Sequence, residues 1–314
     1  MSHDSNEAED TGVDDGSVDS TSNLPADFRA VVTAALQDRG YAIAGWEADG
    51  VNVTPPGKAP DHYIGLSNLY RRARAVDPAA WPGMIHDFLS HLISGAAAPQ
   101  IPDDLMTIAG RLRPRLGRPF SRAGRVYPWG IPLPGTGLEI NLVVDYPHTM
   151  AYVTDEMLRK ACRSGEDLLD IALANLRAAT PSDYFEPVSA DLDIWIGHCG
   201  DGYDAARALL IEDILPGSPA GFWVAIPTRE ELVVWPVSYA ALERIHVIRL
   251  YAQDNFRRNP YPVTEDVFWV HEGTWYPFGI RVEADGVTVS PPEQFLVALA
   301  GSQDAEQGRD AEAE

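Results

Sequence analysis

Cysteine is almost absent: the 314 residues hold only Cys162 and Cys199. Two thiols cannot build a disulfide framework or a four-cysteine zinc site, so the fold must rest on an apolar core. Both are expected to be small buried side chains, the usual environment of a free cysteine. Lysine is equally scarce, with Lys58 and Lys160 the only two among 24 basic residues, so arginine carries nearly all the positive charge. No stretch approaches the roughly twenty apolar residues that cross a bilayer, and the amino terminus lacks the basic start and apolar run of a secretory signal. A cytoplasmic protein without membrane contact is the expectation. Also missing are a phosphate-cradling glycine loop, the G-x-S-x-G elbow of hydrolases and the H-E-x-x-H of zinc proteases. His86 and His91 lie five apart and do not stack on one helical face. These patterns lead us to expect no cofactor and no metal site, and they name no catalytic residue.

What the chain has in excess is acid. It carries 46 Asp and Glu against 24 Lys and Arg, a formal charge of -22. The excess is concentrated at the ends. Residues 1–24 hold seven acids and no basic residue, and five acids with Arg309 follow Gly301. Segments this polar cannot bury enough surface to offset their ordering entropy, so disordered acidic tails are expected over 1–24 and 299–314. The body between them, in a chain that is 45% hydrophobic and 9% aromatic, suffices for a substantial core.

Within the body, strand and helix patterns alternate irregularly and hairpin turns recur. The expected class is α+β, with mixed, largely antiparallel sheets and packed helices in two sub-domains, 25–134 and 135–298. Their division is placed at Pro128–Pro134, where proline and glycine interrupt regular structure. Apolar spacing predicts a helix from Ala26 to Arg39 and another through Ile85, Phe88 and Leu89. Tyr41–Ala48 and Val51–Thr54 read as a hairpin around Asp49 and Gly50. Leu138–Val144 reads as a strand that Ala151–Val153 extends, and Thr154 and Ser164 as caps of two helices. Further on come strands at Asp191–Cys199, Phe222–Ile226 and Val233–Val237, with a short helical piece at Thr228–Leu232. One helix from Tyr239 to Arg257, with Leu250 among its core residues, and strands at Val267–His271, Tyr276–Val282 and Val287–Val289 complete the body. Trp235, Trp269 and Trp275 are expected in the core.

The densest signals lie between Gly200 and Leu232. Asp201, Tyr203, Asp204 and Arg229 form a candidate binding cluster there, although turn chemistry accounts for Asp201 and helix capping for Asp204. Strand alternation places His198 and Cys199 on opposite faces, so they cannot serve each other as base and nucleophile. A second cluster opposes the charge of the body: Arg111, Arg113, Arg115, Arg118, Arg122 and Arg125. Arg111, Arg115 and Arg118 are its candidate anion patch, with Arg111 and Arg115 on one face of a helix that Pro114 ends. The acidic tails are one possible occupant of this patch. Nucleic acid is not expected, because the body is net negative and no aromatic residues are interleaved at stacking spacing.

The ordered blocks I-G-L-S-N-L-Y (Ile64 to Tyr70), E-I-N-L-V-V-D-Y (Glu139 to Tyr146), L-L-D-I-A-L-A-N-L (Leu168 to Leu176), G-D-G-Y-D-A-A-R-A-L-L and F-W-V-A-I-P-T-R-E-E-L resemble the YtpQ-type family of bacterial proteins. That family has no assigned function and supplies no catalytic residues; the resemblance implies a cytosolic α+β protein. The expected function is a non-catalytic binding or regulatory module, immunity-like or chaperone-like, for a basic protein partner. The alternative is a hydrolase or metal-dependent enzyme at the Gly200–Asp204 turn, using Asp201, Asp204 and His198, with Arg229 binding an anionic group.

Overall fold

The computed structural model describes residues 23–57, 62–94, 101–119, 128–146, 149–189, 191–215 and 217–302. The chain divides into two compact units between Ser90 and His91. In the first unit, Phe28, Val32 and Leu36 recur every four residues on α1 (Ala26–Gln37) and are buried. The hairpin of β1 (Ala42–Glu47) and β2 (Gly50–Thr54) forms, turning through Ala48 and Asp49 with Gly50 already paired to Glu47, one residue earlier than expected, and β3 (His62–Gly65) adds antiparallel to β2. Two helices follow, α2 (Ser67–Ala73) and α3 (Trp81–Ser94). The Trp81 indole donates to the Ala73 carbonyl at 2.9 Å and packs edge-on against Phe28 at 5.6 Å, tying α1, α2 and α3 into one core.

In the second unit the last residues of α3 are followed by a 3-10 helical segment at Leu105–Arg111 and then β4 (Leu112–Gly117). Here the expected helix is wrong. Leu112, Pro114 and Leu116 are buried and alternate with Arg113 and Arg115, a period of two, and Pro114 is tolerated because β4 is an outer strand. β4 pairs with the long β6 (Leu138–Tyr146), which also pairs with β5 (Gly130–Leu133) and β7 (Thr149–Tyr152). The stretch expected to divide the sub-domains therefore holds a strand bonded into this sheet. The 149–152 segment folds back as a hairpin instead of extending β6.

Both caps form. Thr154 Oγ1 accepts from the Met157 amide at 3.4 Å to open α4 (Asp155–Ala161), and Ser164 Oγ from Asp167 at 3.1 Å to open α5 (Gly165–Ala179). Leu168, Ala172 and Leu176 bury one face of α5.

The largest sheet contains β8 (Phe185–Ser189), β9 (Leu192–Gly197), β10 (Phe222–Thr228), β11 (Glu231–Pro236), β12 (Val267–His271), β13 (Thr274–Glu283) and β14 (Gly286–Ser290). Its order is β14-β13-β12-β10-β11-β9-β8, and every neighbouring pair is antiparallel. All seven residues of β10 are buried. Phe222, Val224 and Ile226 enter a core shared with the four-stranded sheet, while Trp223 and Ala225 enter a second core on the other face.

Short helices α6 (Asp204–Arg207) and α7 (Ile211–Ile214) connect β9 to β10, and α8 (Tyr239–Leu242) and α9 (His246–Arg258) connect β11 to β12. The helix expected from Tyr239 to Arg257 is thus broken after Leu242, and Leu250 is 45% exposed instead of core. No helical piece spans Thr228–Leu232; Arg229 and Glu230 are the tight turn between β10 and β11. Trp235, Trp269 and Trp275 are buried.

A final helix, α10 (293–302), occupies the start of the expected tail. It buries Phe295, Leu299 and Ser302, and Leu24 is buried near the other end. The folded chain is therefore longer at both ends than the expected boundaries; the acidic stretches 1–22 and 303–314 lie outside the described residues. The α+β class with largely antiparallel sheets is the one adopted. Among the described residues no helix is long and apolar enough to cross a membrane.

Candidate functional site

Strand β9 ends at Gly197, and the chain turns through Gly200 and Gly202, whose φ values of 71° and 81° suit glycine. The turn delivers α6 with Asp204 and Arg207 on its inner face. Both side chains are wholly buried. The Arg207 guanidinium forks onto Asp201, with Nη1 to Oδ1 at 2.9 Å and Nη2 to Oδ2 at 2.7 Å. Nη1 also donates to Asp204 Oδ1 at 3.1 Å, Nε donates to Thr180 Oγ1 at 3.1 Å, and the plane lies over the Tyr184 ring at 5.0 Å. Asp204 Oδ1 accepts two more bonds, from the Tyr184 hydroxyl at 3.0 Å and the Cys199 amide at 2.9 Å. One guanidinium therefore joins the end of α5, the approach to β8, the end of β9 and α6.

Burial alone would push the Asp201 carboxyl up. The hydrogen bonds from Arg207 and the Tyr203 amide, together with the Arg207 charge, outweigh burial and hold it below the ordinary range. At Asp204 burial wins over the bonds from Cys199, Arg207 and Tyr184, and its carboxyl is pushed up. Arg207 itself is held more firmly cationic, because Asp201 outweighs the effect of its burial.

The four cluster residues predicted from sequence separate into three environments. Asp201 and Asp204 meet on Arg207. Tyr203 is buried, and its phenol is raised by burial and by Asp145 of β6, in the field of Arg113 and Arg115. Arg229 lies over the Tyr261 ring at 3.3 Å and pairs with Glu230 at 3.1 Å. Its backbone carbonyl accepts from the Ala205 amide at 3.2 Å, and its side chain passes beside Gly202, with Nε 3.8 Å from where a Cβ there would stand. The turn role of Asp201 is present, since its Oδ1 accepts from the Tyr203 amide at 3.0 Å. The capping role of Asp204 is not: Tyr203 occupies the cap position, and Asp204 bonds backwards to Cys199.

The arginine patch also disperses. Arg111 lies over Tyr146, Arg115 over Tyr152 and against Met150, and Arg118 over Phe256 while donating to the Val263 carbonyl at 2.9 Å. Arg122 and Arg125 lie outside the described residues. Both cysteines are exposed, contrary to expectation, because each follows the end of an element. Burial of its surroundings pushes the Cys199 thiol up against the pull of Arg207, which disfavours the nucleophilic thiolate. Among the described residues no group of three or more His, Cys, Asp or Glu side chains is arranged to hold a metal ion.

Arg207 and Tyr184 organise the site, and neither stood out in the sequence. The available signal was spacing: Arg207 is three residues after Asp204, within reach on one helical turn. Glu231 was also missed. The β9–β11 register pairs Gly197 with Leu232 and so places Glu231 opposite His198. The His198 ring is 61% exposed, with Nδ1 3.9 Å from Asp204 Oδ2. Neither Asp204 Oδ2 nor Glu231 Oε1 has a hydrogen-bond donor.

Burial pushes the Glu231 carboxyl up, against the hydrogen bond from Tyr251 and the influence of His198. A raised folded-state value means that the folded state binds more protons across that window, so Glu231 makes the protein less stable as pH rises through it. Glu231→Gln is therefore expected to raise Tm by about 2–4 °C above the window, the equivalent of roughly 1 kcal/mol in a chain this size. The gain should vanish once pH falls below the ordinary glutamate range. Calorimetry across pH checks this, and a gain independent of pH would contradict it.

Comparison with family models, with curated proteins and with solved structures finds no match to this chain.

Proposed function

We propose that this protein is a non-catalytic binding module that captures a basic protein partner. The observation that carries the reading is the commitment of Asp201 and Asp204 to Arg207. The two acids that a hydrolase or metal-dependent enzyme at this turn would use are instead fastened to a buried guanidinium, in a network that joins four chain segments. Such a brace stiffens the surface above it. The charge of -22 supplies the complementary half, steering a cationic partner toward the module and favouring its capture over acidic competitors.

Charge-driven capture has a salt signature. Screening lengths shrink from about 10 Å at 0.1 M salt to about 3 Å at 1 M. The immobilised full chain, challenged with native lysate, is expected to retain a partner of basic composition at low salt and release most of it at high salt. Retention of no protein at low salt, or capture of acidic proteins unaffected by salt, would overturn the proposal.

A further inference from the structure

The two edges of the seven-stranded sheet differ. β8 is guarded: Pro187 lies within it, Glu186 is exposed, and its pairing with β9 slips between Pro187 and Ser189. Proline, charge and bulges are the devices that keep an edge from recruiting another strand. At the other edge, β14 reads G-V-T-V-S, with no charge, no proline and an unbroken register against β13. The hairpin closes through Ala284 and Asp285, with Glu283 paired to Gly286. Bonded and non-bonded pairs alternate from that closing pair, so the backbone N–H and C=O groups of Val287 and Val289 point outward from the sheet.

Several apolar side chains beside this edge are also part exposed. Val287 and Val282 face each other across the hairpin and are 43% and 38% exposed. Leu250 of α9, 45% exposed, lines one shallow groove with Ile280 and Val282, whose other walls are Arg249, Gln253 and Arg281. Ile280 and Val289 pack against the tryptophan-rich core, so this apolar strip is that core continued to the surface.

We propose that β14 is the docking edge for an extended segment of a basic partner, which adds as an eighth strand. This rests on the partner-binding reading above. Acids bracket the edge, Glu283 and Asp285 at one end and Glu293 at the other; of the two bases beside it, Arg249 is paired with Glu265 and Asp266, and Arg281 stands on β13. A second copy pairing about Thr288 would set Gly286 of one chain opposite Ser290 of the other and so bring the Glu283–Asp285 turn of each toward Glu293 of its mate, like charge toward like. A strand with valine-like residues facing Val287 and Leu250, and lysine or arginine at its ends, meets both the apolar strip and the acids.

The test uses the full chain and a short synthetic peptide of alternating valine and threonine with lysine at both ends, and the same peptide with glutamate ends as control. The lysine peptide is expected to bind by fluorescence anisotropy and to slow amide hydrogen exchange at Val287 and Val289. Val287→Pro removes one outward N–H while sparing the ladder to β13, and should weaken binding by about tenfold or more. Should that variant lose its fold by circular dichroism, Glu283→Gln combined with Asp285→Asn should weaken the lysine peptide and not the control. Peptide binding without protection on β14, equal binding of both peptides, or a free protein that dimerises through β14 would overturn the proposal. If the lysate partner is retained equally by wild type and Val287→Pro, the docking edge is elsewhere and the partner-binding reading stands. If no partner is retained by either, both fall.

Discussion

Arg207→Ala is expected to destabilise the protein by about 3–5 kcal/mol, as removal of one member of a buried ion pair does. Asp204 would keep a wholly buried carboxylate whose remaining donors are the Tyr184 hydroxyl and the Cys199 amide. Its carboxyl, already pushed up by burial, would be pushed up further. Asp201 should suffer less, because it is 38% exposed and water can replace its lost bonds. In a chain this size the loss corresponds to a fall in Tm of roughly 6–20 °C.

A control separates the brace from simple packing. Replacing both partners by apolar side chains, Arg207→Met with Asp204→Leu, removes the stranded charge together with its mate, and is expected to recover much of the loss. Urea unfolding of the two single variants and the double variant measures the coupling. A cost below about 1 kcal/mol for Arg207→Ala would mean that the network contributes no more than a surface ion pair.

Trp223→Ala should be comparably severe, costing about 3–5 kcal/mol through the cavity it leaves. The side chain is fully buried, with Trp235, Phe278 and Phe295 at ring distances of 6.2, 5.6 and 5.7 Å. These neighbours are themselves large rings on three different elements and cannot collapse into the space together. Trp223→Phe is expected to be much milder, because the indole Nε1 has no acceptor and its removal leaves nothing unpaired. Equal losses for the two variants would contradict this account of the core.

The sequence made some of this visible. Both caps, the hairpin at Asp49 and the strands β9 and β12 follow from local chemistry that the fold left in place. What it hid were positions where pairing with a distant strand overrode local pattern. R-L-R-P-R-L satisfies a helical and an extended template equally over so few residues, and its pairing with β6 decides for strand. Thr228 to Leu232 is rich in helix-favouring residues, yet the pairing of Trp223 with Trp235 across β10 and β11 compresses it into a two-residue turn. The site was legible in place and not in role. Asp201 and Asp204 stood out beside the turn glycines, but their partner arginine looked like one of many, and Thr180 lies 27 residues before Arg207 and Tyr184 lies 20 before Asp204.

The two-sided burial of β10 makes the second unit hard to open piecemeal. A strand whose alternate side chains anchor opposite cores cannot be released from one without loosening the other, so the two cores should melt as a single cooperative block. The brace sits against one core and the tryptophan cluster in the other, and the Ala205–Arg229 backbone bond joins the brace to the turn at the end of β10. Arg207→Ala is therefore expected to shift tryptophan fluorescence and the melting of the brace together, at the same temperature, although Arg207 touches none of those rings.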